Sequence, residues 1–363
     1  VMRKRIMKKL ITSIAILIAA FFTFAAAPAS AAQIKPVLFK VPVAFPTYLP
    51  GLGTPAPWIA KTVNEVSNGN VKMKIYEPKK LVAPFEILDA VSSGKVNAGY
   101  STAGYWAGKL PAAPLFSAVP FGPEAGEYMA WIYHGNGRKL YQEMYDTAGY
   151  KVHVIPCAII APETSGWFAK PIKNAGDLKG LRMRFFGLGG KVMKKLGVST
   201  TLLPGGEIFP ALEKRAIDAA EFSQPAIDKR LGFWKIVKYN YYPGWHQQAT
   251  MFELLINKNT WNKLHNSQKV ALEVTCKASM TQSFSEGEFM QFEVMTENVK
   301  KRGVKNMYWS DDMLATFKEA WRQVVEDLMK HSGFAKVWKD LSKFRDGYDL
   351  WEAHAFLPRA RRK

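Results

Sequence analysis

Glu86-Ile87-Leu88-Asp89-Ala90-Val91-Ser92-Ser93-Gly94-Lys95-Val96-Asn97-Ala98-Gly99-Tyr100 lies over Glu207-Ile208-Phe209-Pro210-Ala211-Leu212-Glu213-Lys214-Arg215-Ala216-Ile217-Asp218-Ala219-Ala220-Glu221 position by position. In both stretches a short helix turns through small or polar residues into a strand carrying Val or Ile, then Asn or Asp, then Ala. The echo predicts two similar α/β lobes. Tyr100 and Ser101 end the strand in one, and Glu221 and Phe222 end it in the other. Ligands of open α/β sheets sit beyond the carboxyl ends of strands. Two such lobes facing each other form a cleft.

The flanking sequence agrees. Val37 to Ala44 is a mostly apolar run of strand length, although Pro42 suits an edge better than a centre. Pro57 stands near the start of a helical pattern through Ile59, Val63 and Val66, stopped by Gly69. Val71, Met73 and Ile75 alternate with Lys72, Lys74 and Tyr76, the pattern of a half-buried strand. Pro84 opens a helix with Phe85, Leu88 and Val91 on one face, and a strand from Val96 to Ser101 follows. This alternation predicts α/β units with parallel pairing. Trp261 to Ser279, Ser283 to Val299 and Asp311 to Met329 read as long helices. The last carries Leu314, Phe317, Trp321, Val325 and Leu328 on one stripe. Strands dominate early and helices late, so the last third is expected to brace the lobes.

Length and composition bound the rest. The 363 residues, 48% hydrophobic and 13% aromatic, suffice for a large core and suggest about two domains. The formal charge of +20 points first to nucleic acid, but the amino terminus changes that. Arg3, Lys4, Arg5, Lys8 and Lys9 precede an apolar run from Leu10 to Phe24 and then Ala29-Ser30-Ala31, the layout of a secretory signal. The run is shorter than a spanning helix needs, which disfavours the alternative of an uncleaved anchor. Cleavage near Ala31 or Ala32 lowers the charge to +15, and four more basic residues lie after Pro358. An exported protein rarely meets nucleic acid, so the excess reads as a solvated surface biased toward anionic small molecules.

Enzyme signatures are mostly missing: there is no Gly-x-Ser-x-Gly elbow and no His-Glu-x-x-His helix. The 6 His show no i, i+4 pairing, which argues against a histidine-based metal site. Gly187-Leu188-Gly189-Gly190-Lys191-Val192 lacks the spacing of a phosphate loop and reads as a turn into a helix Lys191–Leu196. The 2 Cys, Cys157 and Cys276, are expected as buried free thiols, with a disulfide permitted in an oxidising compartment. Four polar groups stand out. Arg184 ends a short strand in which it shares a face with Arg182. Glu163 precedes Gly166-Trp167-Phe168, Glu221 ends the Ile217–Ala220 strand, and Gln247 follows the aromatic run Tyr239–Trp245. A guanidinium offers a planar fork to a carboxylate. Two carboxylates and an amide oxygen offer hard ligands to a calcium-like cation.

Glu163-Thr164-Ser165-Gly166-Trp167-Phe168, Asp177 to Arg184, Gly187 to Met193, Pro204 to Ile208, Ile217 to Phe222 and Tyr241-Tyr242-Pro243-Gly244-Trp245 together resemble the solute-binding proteins of tripartite ATP-independent periplasmic (TRAP) transporters. Within that family they resemble the branch that binds 2-oxo acids and related monocarboxylates. The resemblance implies a periplasmic-binding-protein-like fold, two α/β lobes around a cleft with long C-terminal helices. The implied boundaries are a signal peptide over 1–32, lobe I over 33–161 plus about 250–290, lobe II over 162–249 plus about 291–345, and a tail over 346–363. It implies that Arg184 clamps the substrate carboxylate. Glu221, with Phe222 where the branch has Trp, then holds a Ca²⁺ or Na⁺ ion that bridges to the substrate. Gln247 falls where the branch has Glu and Glu163 where it has Gln, an exchange that keeps two carboxylates. Tyr105, Trp106 and Trp245 are expected as aromatic pocket walls. The implied partners are a small organic acid, the TRAP membrane permease and a second copy of the chain, with no nucleic acid. An exported hydrolase using Glu163 and Glu221 as an acid–base pair, or a ligand sensor, is the alternative.

Overall fold

A computed structural model describes Met2 and residues 34–357. The expected leader and the end of the tail beyond Leu357 lie outside the described residues, Met2 excepted. In chain order the strands are β1 (Val37–Pro42), β2 (Val71–Tyr76), β3 (Ala98–Ser101), β4 (Val152–Ile160), β5 (Gly166–Phe168), β6 (Arg182–Arg184), β7 (Ser199–Thr201), β8 (Ala219–Ala220), β9 (Tyr239–Tyr242), β10 (Thr250–Asn257) and β11 (Lys305–Tyr308). One sheet has the order β3-β10-β4, with the β1–β2 pair joined to it by a bridge between Val43 and Tyr100. The other has the order β11-β9-β5-β8-β6-β7. This is the expected mixed α/β architecture of two lobes with long C-terminal helices.

The expected parallel pairing holds for β1 with β2 and at the Val43–Tyr100 bridge to β3, while the sheets as a whole are mixed. β1–β2, β6–β7, β6–β8 and β9–β11 are parallel. β10 runs antiparallel to β3 and β4, and β5 antiparallel to β8 and β9. All eight residues of β10 are buried, as are all but one of the nine in β4, so these strands read as apolar runs rather than alternations. Pro42 is not at an edge either. It is the last residue of β1, and beyond it the Val43 amide donates to Tyr76 on one side and the Ala44 amide to Tyr100 on the other.

The helix Pro55–Val66 starts two residues before Pro57, and Gly69 after it adopts φ 76°, a left-handed turn that a side chain resists. The later helices differ from expectation. Instead of two, a short helix Lys258–Lys263 precedes one continuous helix Asn266–Arg302 of 37 residues. The break falls where the His265 ring accepts from the Ser267 amide and caps the helix. Ser283, expected to start a second helix, instead bonds with both the amide and carbonyl of Ile159 and with the carbonyl of Met280. The helix Gly187–Lys195 likewise begins four residues before the expected Lys191.

Cys157 and Cys276 are not free thiols. They form a disulfide between β4 and the long helix, across a sequence separation of 119. Close packing of β4 along the helix brings their Cα atoms to 4.2 Å, a proximity that spacing in the chain does not reveal. No helix among the described residues is long and apolar enough to cross a membrane.

Candidate functional site

β6 separates its two arginines. They share a face of the strand, yet Arg182 is exposed and bidentate to Asp218, with Nη2 to Oδ1 at 2.7 Å and Nε to Oδ2 at 3.0 Å. Arg184, at the carboxyl end, is 1% exposed. Its Nε donates to the Leu203 carbonyl at 3.2 Å, and its Nη1 donates to both the carbonyl of Glu221 and Oε2 of Glu221, the latter at 3.0 Å. The guanidinium carbon lies 5.0 Å from the Phe222 ring centre and 6.0 Å from that of Phe186, within cation–π range.

Glu221 follows β8 directly, as the sequence echo predicts for a strand end. Its amide donates to the Arg184 carbonyl, and its Oε2 also accepts from the Phe186 amide at 2.9 Å. Oε1 has no hydrogen-bond partner and lies 3.4 Å from Nε2 of His246. Burial alone pushes this carboxyl up. The Arg184 guanidinium, His246 and the Phe186 amide outweigh it and hold the group below the ordinary carboxylate range.

Glu163 arrives from the loop before β5. Its amide donates to the Gln247 carbonyl, and its Oε1 accepts from the hydroxyls of Ser223 at 3.2 Å and Thr250 at 3.3 Å. Thr250 in turn accepts from the Gln247 amide nitrogen at 2.6 Å. Oε2 of Glu163 and Oε1 of Gln247 are buried without partners. Burial, then the charges of Glu221 and Asp228, raise the Glu163 carboxyl well above its ordinary range. Asp228, with Oδ2 accepting from the Trp167 indole at 2.7 Å, is pushed up by burial to about 8.

Arg184, Glu163, Gln247, Tyr105 and Phe222 line one small cavity of about 20 Å³, together with Thr102, Thr250, Phe186 and three further apolar side chains. That is room for about one water molecule, so a larger ligand enters only if the lining side chains move apart. The backbone at Gly104 comes against the Phe186 ring so closely that a Cβ there would stand 2.1 Å from it. Only glycine permits that approach of the segment after β3 to the segment after β6.

Two expected wall residues lie elsewhere. Trp106 turns away from the cavity and donates its indole N–H to Glu253 at 2.8 Å. Trp245 is buried in an aromatic stack with Phe121 and Phe317, 5.7 and 4.6 Å between ring centres. Conversely, His246 comes close to Glu163 and Glu221, one ligand atom from each of the three lying within 4.8 Å of the others. A search for helical histidine pairs could not find it, because the cluster draws on three separate segments. Its one sequence signal is its place between Trp245 and Gln247.

The sequence pattern of the bacterial extracellular solute-binding proteins of family 7 matches residues 53–332. The chain belongs to this family. It is 36% identical over 295 residues to the monocarboxylate 2-oxoacid-binding periplasmic protein of Nostoc sp., covering 81% of this chain and 80% of that protein. Solved TRAP solute-binding proteins share its fold. One from Colwellia psychrerythraea, with bound calcium and pyruvate, is 31% identical at a TM-score of 0.84, covering 88% of this chain and 98% of that one. One from Pseudoalteromonas atlantica, with bound sodium and pyruvate, is 30% identical at a TM-score of 0.84, covering 88% and 97%. One from Bordetella bronchiseptica, a mixed-occupancy dimer with calcium and picolinate, is 27% identical at 0.86, covering 88% and 95%.

Membership in a family of solute receptors bears out the TRAP resemblance and displaces the hydrolase alternative. The donor set of this solute-binding protein also fits a cation. Glu163 Oε2, Glu221 Oε1 and Gln247 Oε1 are buried oxygens that no protein donor satisfies. Such atoms cost free energy unless something pairs with them.

Proposed function

We propose that this protein captures a small 2-oxo acid such as pyruvate, together with Ca²⁺ or Na⁺, and delivers it to a TRAP membrane permease. The observation that carries this reading is the buried meeting of Arg184 with unpaired carboxylate and amide oxygens in one small cavity. The Nostoc relative's name and the pyruvate in two solved relatives support the acid; the sodium and calcium beside it support the cation.

Arg184 binds the acid's carboxylate. Glu221 already engages Nη1, and Nη2, which none of the hydrogen bonds uses, is the nitrogen left for the ligand. The guanidinium is thus split between a protein carboxylate that aims it and a ligand carboxylate that it clamps. Glu163, Glu221, Gln247 and the Phe222 backbone would hold the cation. When bound, it supplies the positive charge that lets several anionic oxygens share a dry site. Tyr105 and Phe222 wall the ligand in and exclude water, which strengthens both contacts.

The lobes would follow the boundaries 33–161 plus about 250–290 and 162–249 plus about 291–345, closing on the ligand. Removal of the leader near Ala31 or Ala32 would release the protein to the periplasm. A homodimer has the dimeric Bordetella relative in its support. A sensing role would use the same site.

Native mass spectrometry of the purified protein, before and after chelation, tests the reading. The expected result is a co-purified small acid and a cation that leave together on chelation. Protein carrying neither, and taking up neither pyruvate nor Ca²⁺ when supplied, would overturn it.

A further inference from the structure

His246 is 1% exposed, and neither of its ring nitrogens has a hydrogen-bond partner. Its position is tightly determined. The ring meets Phe185 edge to face at 4.9 Å and Trp245 at 5.5 Å. Its Cβ lies 2.8 Å from where a side chain on Gly189 would begin, so the helix Gly187–Lys195 holds it against the cluster. Leaving a buried polar group without a partner destabilises the folded chain. A leucine or phenylalanine in this aromatic surrounding would avoid that cost. An imidazole kept there calls for a partner: Nε2 lies 3.4 Å from the unpaired Glu221 Oε1, and one ligand atom each of His246, Glu221 and Glu163 lie within 4.8 Å of one another.

We propose that Nε2 of His246 is a further donor of the cation site, beside Oε2 of Glu163 and Oε1 of Glu221. This deepens the reading of a cation-assisted acid receptor and rests on it. The consequence is a change in which cation the site favours. Calcium and sodium are served by oxygens alone, whereas imidazole nitrogen suits borderline divalent ions such as Fe²⁺, Co²⁺, Ni²⁺ and Zn²⁺. Two carboxylates and a nitrogen around one buried point describe a site tuned toward a transition-metal ion rather than toward calcium.

The test uses the full chain, stripped with chelator and supplied with pyruvate. Calorimetric titrations with Co²⁺ alone and Ca²⁺ alone compare affinities, and pulsed electron paramagnetic resonance of the Mn²⁺-loaded protein looks for coupling to a ligand ¹⁴N. The expected result is tighter binding of Co²⁺ than of Ca²⁺ and a ¹⁴N signal from a directly bound imidazole. His246→Gln should lose that signal and weaken Co²⁺ by at least about 10–100-fold, the range seen when supporting groups of metal sites are removed, with Ca²⁺ nearly unaffected. Cation binding without ¹⁴N coupling in the unaltered protein overturns the role of His246 and leaves the cation site standing. No binding of any cation, with or without pyruvate, overturns both. The spectroscopic measurement needs no variant, so a His246→Gln chain that fails to fold does not decide the matter.

Discussion

Two groups of buried carboxylates in this protein look alike by burial and differ in what surrounds them. Glu253, in the middle of β10, is fully buried, and both its oxygens are satisfied. Oε1 accepts from the Trp106 indole at 2.8 Å and from the Tyr145 hydroxyl at 3.0 Å; Oε2 accepts from the hydroxyls of Tyr141 at 2.6 Å and Tyr145 at 2.8 Å. The rings that carry these donors are themselves stacked, Tyr141 on Phe116 at 4.4 Å and on Tyr145 at 5.9 Å. Glu163 and Glu221 are as deeply buried, but each keeps one oxygen that no donor reaches. A saturated carboxylate is part of the frame, and one with an oxygen to spare is poised for something that arrives. The turn Tyr105–Trp106 links the two, with one ring lining the cavity and the next donating to Glu253.

Arg184→Ala should have the largest effect. It removes the ligand's clamp and leaves Glu221 buried without its counter-charge, a loss of about 3–5 kcal/mol in systems where one partner of a buried pair is deleted. Calorimetry with pyruvate should show binding reduced at least 100-fold, whereas Arg182→Ala, which breaks an exposed pair, should leave affinity unchanged. Near-wild-type affinity in Arg184→Ala would remove the residue from the site.

The contrast sharpens with Glu253→Gln against Glu163→Gln. Burial raises Glu253 to about 7 from an ordinary 4.5, its three hydrogen-bond donors pulling the other way. The folded protein therefore holds this proton more tightly than the unfolded chain does. The resulting contribution is complete below about pH 4.5 and lost as pH rises through about 7, a swing of about 3 kcal/mol at 1.4 kcal/mol per unit. Chemical denaturation across that interval should show stability falling in the wild type and falling by about 3 kcal/mol less in Glu253→Gln, with ligand affinity unaltered. Glu163→Gln should do the reverse, weakening cation uptake while leaving the Glu253-dependent part of the slope in place. Equal effects of both variants on binding would erase the distinction.

Phe222→Trp should have the smallest effect. The ring already meets Gly205, where a Cβ would stand 2.6 Å from it, so a larger indole must take space from the cavity. Longer 2-oxo acids should lose about 1 kcal/mol relative to pyruvate, a typical value for one methylene in a pocket, measured by competitive titration. Unchanged relative affinities would show that this wall does not set substrate length.

Where a group sits at a strand end, sequence was sufficient. The echo placed Tyr100 and Glu221 at equivalent termini, and the motifs around β5, β6 and β8 pointed to Glu163, Arg184 and Phe222. What escaped was what depends on packing between distant segments. Cys157 and Cys276 carry no local mark of each other. Trp106 and Trp245 are aromatic residues beside a site, and only the neighbouring donors and rings decide which way each turns. Glu253 is as conspicuous in its apolar strand as Glu221 is in its own, and nothing in the spacing tells a saturated oxygen from a free one. His246 was hidden because helical periodicity is the wrong measure for a cluster assembled from loops.

The helix Asn266–Arg302, about 55 Å long at 1.5 Å per residue, is fastened at both ends of its course. Cys276 bolts it to β4, Glu286 accepts from the Thr54 hydroxyl at 2.6 Å, and Glu297 holds Lys229 of the helix Pro225–Leu231 at 2.5 Å. A stiff spindle fastened to β4, to Thr54 and to the helix Pro225–Leu231 permits swivelling more readily than sliding. Under the proposed function, closing on the ligand and reopening would be opposite senses of one such turn.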